Sequence, residues 1–346
     1  MNCRLTFLPV GNADSIILCA NDNLTILIDI GNAGLLNKWL QQQQIKAIER
    51  IYISHAHGDH CPSLVNLVQF IKSWLKQGKI KEICLPYNMF LKAKQNLLNR
   101  RNQISPDKAL ERIETALNQL DDWDKKNIVN FLPMAKGSKE NYGEYLKIFV
   151  LHPRQLFIES HLAQTNTKLN ELSLVLKVSY GDFTALLLAD LEGDGLRECL
   201  EICPSEELKA NIVKIPHHGA YPRNGEDLQS LLETIDPELA ILSVGSTNNY
   251  GHVMPQLFSL LLNLKTDNSK KLKDFLCTEV TRTCTYSNQE IAAMNRSGLK
   301  EKKLCAGEIT ILANISGEWN IRTETIHNNI IAQLDYPACQ GKLELI

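Results

Sequence analysis

Four side chains that can bind metal ions lie within six residues of one another: His55, His57, Asp59 and His60. In an extended or looped backbone, His55 and His57 project the same way, whereas Asp59 and His60 approach from the other side. Neutral imidazole and carboxylate are ligands that zinc and manganese accept, and a site for two ions needs more ligands than a single helix supplies. This loop therefore predicts part of a two-metal centre.

The alternative is that these histidines are incidental surface residues. The chain has 9 histidines among 346 residues, so three of them within six positions argue against chance. Burying imidazoles and a carboxylate together without a metal would also be costly. A metal site is the favoured interpretation.

The elements that must position this loop are a strand and a helix. A short apolar run at residues 51–53 precedes it, and Pro62 stands at an early position of the helix that follows. Apolar residues then recur at helical spacing, namely Leu64, Leu67, Val68, Ile71, Trp74 and Leu75. The histidines are therefore expected on a loop at a strand end.

Other candidate residues also follow predicted strands. Asp29 closes a strand at 25–29, Asp190 closes an apolar strand at 183–190, and His217 and His218 follow a strand at 211–216. His252 lies in a polar loop after a strand at 239–244, where it can protonate a leaving oxygen; the alternative is a turn histidine bonded to the backbone. Active sites of layered α/β folds gather at strand ends, so we expect one shared site.

Length and composition agree with a single layered α/β domain spanning residues 1–346. We expect a helical insertion at about 88–142 and a divergent C-terminal segment at about 265–346. The composition is 44% hydrophobic and 22% charged, with a formal net charge of −2, so no global field indicates a nucleic-acid partner. No apolar run is long enough to span a bilayer and no signal peptide is apparent, which predicts a cytoplasmic protein without a membrane partner.

Several motifs together resemble a known family. The string at 55–60, HxHxDH, resembles the signature of the metallo-β-lactamase superfamily. Three further segments, at 5–18, 214–219 and 249–252, are similar to the ComEC-type hydrolase domain of DNA-internalisation proteins. The resemblance runs with gaps from about the first residue to about residue 315, and it implies a four-layer αββα fold.

The resemblance implies two divalent ions, zinc or manganese, with magnesium as a further option. Six residues are implied as their ligands: His55, His57, Asp59, His60, Asp190 and His218. His55 and His57 would bind the first ion. Asp59, His60 and His218 would bind the second, and Asp190 would bridge both. Asp59 is also implied to be essential for catalysis.

Three more residues receive roles from the same resemblance. His252 and His217 would assist the leaving group, and His217 can instead hold a substrate phosphate or orient a ligand. Asp29 would orient the metal loop through hydrogen bonds without binding metal, while an ordinary strand-end aspartate would cap a turn; both can hold at once.

The sequence departs from the family pattern at one ligand. Many members place a third histidine for the first ion before the hairpin that leads to Asp190, whereas this chain has Asn170 or Ser173 in that region. His161 is the less favoured replacement, because it lies in a loop of unknown path. An amide oxygen and water would complete the site instead, and oxygen donors favour manganese or magnesium.

The predicted function is hydrolysis of phosphodiester bonds by water that divalent ions activate, and the resemblance implies DNA or another nucleic acid as substrate. The alternatives are a hydrolase of a small phosphodiester, a hydrolase of another ester such as a lactone or thioester, and a non-catalytic binding module on the same fold. Since the transmembrane portion of ComEC is absent, we also consider protein partners in a multi-component system such as bacterial defence.

Overall fold

A computed structural model describes residues 2–20, 24–76, 80–87, 108–164, 166–293 and 298–340 of the protein. Within these ranges the strands form two mixed sheets, with β numbers in chain order. The first sheet has the order β15-β14-β1-β2-β3-β4-β5-β6, with strands β1 Cys3–Phe7, β2 Ile16–Ala20, β3 Leu24–Ile28, β4 Ile48–Tyr52, β5 Ile80–Leu85, β6 Asn130–Pro133, β14 Ile309–Ala313 and β15 Trp319–Thr323. The second has the order β13-β12-β11-β10-β9-β8-β7, with strands β7 Lys139–Tyr142, β8 Leu146–His152, β9 Val175–Tyr180, β10 Phe183–Leu187, β11 Ile212–Lys214, β12 Leu239–Leu242 and β13 Asp274–Cys277.

Helices flank the sheets. They are α1 Ala33–Gln42, α2 Leu64–Leu75, α3 Lys108–Lys125, α4 Gln155–Leu162, α5 Gly193–Ile202, α6 Ser205–Leu208, α7 Gly225–Ile235, α8 Pro255–Thr266, α9 Asn288–Ala293 and α10 His327–Ile331. Short 3-10 helices occupy Leu169–Leu172, Pro216–Gly219, Arg282–Cys284 and Ala338–Gln340. Within the described ranges, none of these helices combines the length and the apolar character that crossing a bilayer requires.

Alternating side chains of the strands build three apolar layers. On β2, Ile16 and Leu18 point between the sheets, where they join Leu187 of β10, whereas Ile17 points outward to the layer beneath α1, α2 and α3. On β10, Leu186 likewise points outward to the layer beneath α5, α7 and α8. Because β2 and β10 are buried on both faces, the two sheets must lie between two helical layers. The predicted four-layer αββα architecture is confirmed.

The predicted insertion at 88–142 is described only in part, since residues 88–107 lie outside the described ranges. The rest is helical only in α3, after which β6 joins the first sheet and β7 joins the second. The C-terminal segment from 265 onward also supplies strands to both sheets, with β13 beside β12 and β14 between β1 and β15. Both stretches therefore contain parts of the sheet framework.

The parallel parts of the two sheets place the functional loops. In the first sheet β3, β4 and β5 are parallel, and in the second β10, β11 and β12 are parallel. Strands that run parallel end at the same edge of a sheet, so the loops that follow them are neighbours. The segments containing the predicted metal-binding residues follow β4, β10 and β11.

Candidate metal centre

The metal loop between β4 and α2 is anchored to two neighbouring segments. The backbone N–H of Asp14 donates to the Asp59 carbonyl at 3.0 Å, and that of Ile30 donates to the His60 carbonyl at 2.7 Å. Gly31 lies so close to the Asp59 carbonyl that a Cβ there would collide with it. Helix α2 starts at Leu64 with Ser63 as its N-cap, so Pro62 precedes the helix by two residues. These contacts fix the path of the loop before any ion binds.

Four side chains from three loops converge at the centre of the site. Their ligand atoms, from Asp59, His60, Asp190 and His218, lie within 4.8 Å of one another. His60 Nε2 is 2.9 Å and His218 Nε2 is 3.5 Å from Asp190 Oδ1, and His218 Nε2 is also 3.5 Å from Asp59 Oδ2. All except Asp59 are buried. The strand ends thus bring together residues up to 159 positions apart in the sequence.

The converging atoms lie close to one another without well-aligned hydrogen bonds. His60 Nε2, His218 Nε2 and Asp190 Oδ1 are buried at mutual distances of 2.9 Å and 3.5 Å, and none of them forms a hydrogen bond of ordinary geometry within the described chain. Buried polar atoms are normally paired, because each unpaired one loses its hydration without compensation. Two imidazole nitrogens and a carboxylate oxygen aimed at one point match the donor set of a divalent transition-metal ion. The residues therefore fit a bound metal.

A second group lies beside the first and shares Asp59 with it. His55, His57 and Asp59 also have ligand atoms within 4.8 Å of one another, and His55 Nε2 is 3.1 Å from His57 Nδ1. The Nδ1 atom of His55 faces the hydroxyl groups of Ser54 at 3.1 Å and Ser173 at 3.5 Å, which leaves Nε2 for a ligand position. In this geometry the carboxylate common to both groups is that of Asp59, whereas Asp190 belongs only to the buried group.

Asp29 holds the metal loop from behind. Its carboxylate accepts hydrogen bonds from the backbone N–H and the hydroxyl of Ser54, both at 2.7 Å, and lies 2.6 Å from His60 Nδ1. Burial raises the pKa of Asp29, and the adjacent His60 acts in the opposite direction. For His60, burial favours the neutral ring, but Asp190 and Asp29 on its two sides raise its pKa well above the ordinary value. A carboxylate on the outer nitrogen of a ligand imidazole fixes the ring orientation.

The position of the missing third histidine is filled by polar side chains. Asn170 donates from Nδ2 to Glu192 Oε1 at 2.9 Å, and its buried Oδ1 has no hydrogen-bond partner within the described residues. Ser173 contacts His55 from the side of Nδ1. His161 lies elsewhere, because its ring contacts the Phe157 carbonyl at 3.0 Å and Glu171 at 3.3 Å. Of the three candidates, Asn170 lines the pocket and has an unpaired side-chain oxygen, whereas His161 is not among the residues that line it.

Glu192 is a residue that the sequence analysis missed. Its Oε2 lies 2.9 Å from His217 Nδ1, and His217 Nε2 is 3.8 Å from Asp190 Oδ2. Burial lowers the pKa of His217, but the hydrogen bond to Glu192 and the charge of Asp190 outweigh it and raise the pKa. Glu192 lies two residues after Asp190 in the sequence. A second carboxylate so close to a buried strand-end aspartate could have indicated that Glu192 belongs to the site.

A buried ion pair lies beneath the centre and was also missed. Lys214 at the end of β11 is fully buried, forms an ion pair with Asp14 and donates to the Ala189 carbonyl at 3.0 Å. Ala189 has a left-handed φ of 47° directly before Asp190, a conformation that non-glycine residues seldom adopt. A lysine in an otherwise apolar strand could have predicted this ion pair, because a buried lysine is almost always paired with an anion.

His252 lines the opposite wall of the pocket. Asn12 Nδ2 lies 3.4 Å from its Nδ1, and Asn12 Oδ1 accepts from the Gly245 backbone at 2.7 Å. Burial, reinforced by His217 and His218, lowers the pKa of His252 to about 4. The imidazole of the chain itself is therefore neutral near pH 7, and the role of His252 as proton donor to a leaving oxygen stays a prediction.

The site opens into a pocket of about 490 Å³. Its lining includes Asn12, Asp59, Asn170, His217, Tyr250 and His252. This volume lies within the roughly 300–1,000 Å³ usual for small-molecule sites. Substrate groups can thus reach Asp59 and His217 from solvent.

Comparisons with known proteins give one sequence relative and several structural ones. No family model matches the chain. The chain is 24% identical over 227 residues to ComE operon protein 3 of Bacillus subtilis strain 168. This alignment covers 66% of this chain and 24% of that protein, so the chain spans about a quarter of the relative's length.

Two solved structures are similar in fold. The metallo-β-lactamase fold protein YhfI from Bacillus subtilis has a TM-score of 0.44 and 11% identity, covering 75% of this chain and 93% of the other. The long form RNase Z from yeast has a TM-score of 0.48 and 11% identity, covering 99% of this chain and 55% of the other. The ComEC-type resemblance inferred from the motifs is confirmed by the sequence comparison: this chain is similar to ComE operon protein 3.

Proposed function

We propose that this protein is a metal-dependent hydrolase of phosphodiester bonds and that its substrate is a nucleic acid. The observation that carries the proposal is the convergence of unpaired buried ligand atoms from His60, Asp190 and His218 at the base of an open pocket. A purely structural cluster would be expected to satisfy these atoms internally. The resemblance to the ComEC-type hydrolase domain is what favours a nucleic acid over other phosphodiesters.

In this proposal two divalent ions occupy the two ligand groups. His55 and His57 would hold the outer ion. The Asn170 amide oxygen, which has no hydrogen bond within the described residues, is the group we propose to complete this set. His60, His218 and Asp190 would hold the buried ion, and Asp59 belongs to both groups of side chains. The mixture of imidazole and oxygen ligands suits zinc or manganese, and the oxygen ligands could also bind magnesium.

Divalent ions in such a site lower the pKa of water to near neutral and withdraw charge from a phosphoryl oxygen. The chain itself orients the reaction. Asp29 fixes the loop that bears the ligands, and Glu192 binds His217 Nδ1 so that Nε2 faces the pocket side of Asp190. From that position His217 can deliver a proton to the leaving oxygen, while the neutral His252 hydrogen-bonds the substrate across the pocket.

The test combines metal analysis with cleavage of single- and double-stranded DNA in the presence of manganese. We expect close to two ions per chain and metal-dependent cleavage. Loss of a residue that hydrogen-bonds a metal-binding side chain typically lowers activity roughly 10–100-fold. Asp59→Asn should lower turnover by more than this, while the chain stays folded. Asp182→Asn is the matched control, since Asp182 is exposed in the β9–β10 turn at the opposite end of β10.

Each other result selects an alternative. Bound metal with hydrolysis of a small phosphodiester but not of DNA would indicate a small-molecule phosphodiesterase. Bound metal with hydrolysis of a lactone or thioester alone would indicate another esterase. A folded chain that binds no divalent ion would refute the enzyme and leave a binding module on this fold. The predicted protein partner in a multi-component system stays a prediction, which co-purification from the native host would test.

A further inference from the structure

Tyr250 is an exposed aromatic ring at the rim of the candidate metal centre. It lines the same pocket as Asp59, yet 66% of its surface is exposed. Its ring centroid is 5.8 Å from that of His252, with the planes tilted by 35°. A ring so exposed contributes little to the core, because the stabilisation from burial scales with the area removed from water.

The loop that presents Tyr250 is held by one side chain. Asn248 Oδ1 accepts from the backbone N–H groups of Tyr250 at 3.0 Å, Gly251 at 2.9 Å and His252 at 3.3 Å. Its Nδ2 donates to the His252 carbonyl at 3.1 Å and also to the Gly245 carbonyl. The loop geometry is thus set before substrate arrives, and a tyrosine has few rotatable bonds to order on binding.

The charge of the pocket limits how it can bind a nucleic acid. No lysine or arginine belongs to its lining among the described residues, and the formal net charge of the whole chain is −2. Sequence-independent binding to nucleic acid usually depends on such cations meeting phosphates. Stacking of bases on aromatic rings is the other general source of affinity, and it tolerates any base.

We infer that Tyr250 is a stacking platform for an unpaired base, and that the site therefore takes single-stranded nucleic acid in preference to a duplex. This inference rests on the proposed function and specifies its substrate class. A base stacked on Tyr250 would place its neighbouring phosphodiester in the pocket beside His252. A base inside a duplex is already stacked and paired, so it must leave the helix at a cost before it can use this ring.

The test measures binding and cleavage separately, with manganese-loaded protein. The ligands are a fluorescently labelled DNA strand, the same strand in a blunt duplex, and a strand of equal length made of reduced abasic residues. We compare wild type with Tyr250→Ala, Tyr250→Phe and Tyr250→Trp. Leu156→Ala is the control, since Leu156 is 76% exposed on α4 and outside the pocket lining.

We expect Tyr250→Ala to weaken binding of the single strand about 5- to 150-fold, the equivalent of about 1–3 kcal/mol for one stacked base. The weakening should appear in KM more than in kcat. The phenylalanine and tryptophan variants should stay close to wild type, and the abasic strand should bind wild type and Tyr250→Ala equally. An unchanged metal content and Tm would show that Tyr250→Ala is folded and loaded.

The outcomes separate this inference from the proposed function. Cleavage of DNA with equal single-strand affinity in wild type and Tyr250→Ala would overturn the stacking role and leave the hydrolase proposal intact. Tyr250-dependent binding of the single strand without cleavage would support the stacking role and refute the nuclease. Binding of neither strand nor duplex would refute both.

Discussion

The buried pair of Lys214 and Asp14 permits a quantitative prediction about folding. Lys214 is fully buried, and Asp14 is 1% exposed; besides Lys214, His60 Nδ1 lies 3.7 Å from the Asp14 carboxylate. Lys214→Met keeps the length and most of the volume of the side chain but removes the charge. Asp14 then loses its nearest buried cation and keeps only the more distant His60, and breaking a buried pair in this way typically costs about 3–5 kcal/mol.

The assay is urea unfolding of metal-free protein, with the free energy of unfolding extrapolated to water. The control pair is Lys81 and Glu49, whose atoms are 2.9 Å apart but whose side chains are 69% and 38% exposed. Lys81→Met should cost less than about 1 kcal/mol, because exposed ion pairs are screened by water. The loss in free energy of unfolding caused by the same lysine-to-methionine change is therefore expected to be several-fold larger at Lys214 than at Lys81.

A double variant tests the physical reason. Asp14→Asn combined with Lys214→Met removes both charges, so most of the lost stability should return, and the two single effects should not add. If Lys214→Met costs no more than Lys81→Met, or if the double variant is as unstable as the sum of its parts, then the pair is not the desolvated unit described above. The reasoning about a charged support beneath Asp190 would then be wrong.

Three further predictions concern the site and the core. Glu192→Ala should lower kcat about 10–100-fold with unchanged metal content, because His217 loses the acceptor that orients it. Steady-state kinetics should show that Glu192→Gln retains more activity and that the exposed Glu226→Gln matches wild type. Manganese should raise the Tm of chelator-treated wild type but not of His218→Ala, measured by differential scanning fluorimetry at several metal concentrations, because an ion that binds only the folded state stabilises it. Burial raises the pKa of Cys84 to about 12, so near pH 8 its thiol stays protonated and alkylation by iodoacetamide, followed by mass spectrometry, should require unfolding; rapid labelling of the native chain would contradict this.

Local patterns were sufficient for the elements and for most of the candidate ligands. Strand β10 was expected at 183–190 and runs Phe183–Leu187, and strand β12 was expected at 239–244 and runs Leu239–Leu242. The cluster from His55 to His60 was visible because its members are neighbours in the chain. Apolar runs and ligand spacing are local properties, so a single sequence displays them.

Pairings between distant residues depended on the tertiary structure. The sequence analysis left three candidates for the missing ligand, and only the packing of the loop before β9 shows that Asn170 has a free oxygen at the site while His161 is occupied by Glu171. Likewise, Asp59 rather than Asp190 is common to the two ligand groups, because the distances between side chains depend on how the strand ends meet.

By itself, then, the sequence determined the family resemblance, the layered class of fold and a set of metal-binding residues at strand ends. Only the tertiary structure decided that Glu192 orients His217, that Lys214 lies beneath Asp190 paired with Asp14, and that Tyr250 stands exposed at the pocket rim. Each of these relations joins side chains from separate segments of the chain. Glu192 meets His217 because β10 and β11 are parallel neighbours, whereas Lys214 meets Asp14 because the two sheets pack face to face, and no local pattern of residues encodes either contact.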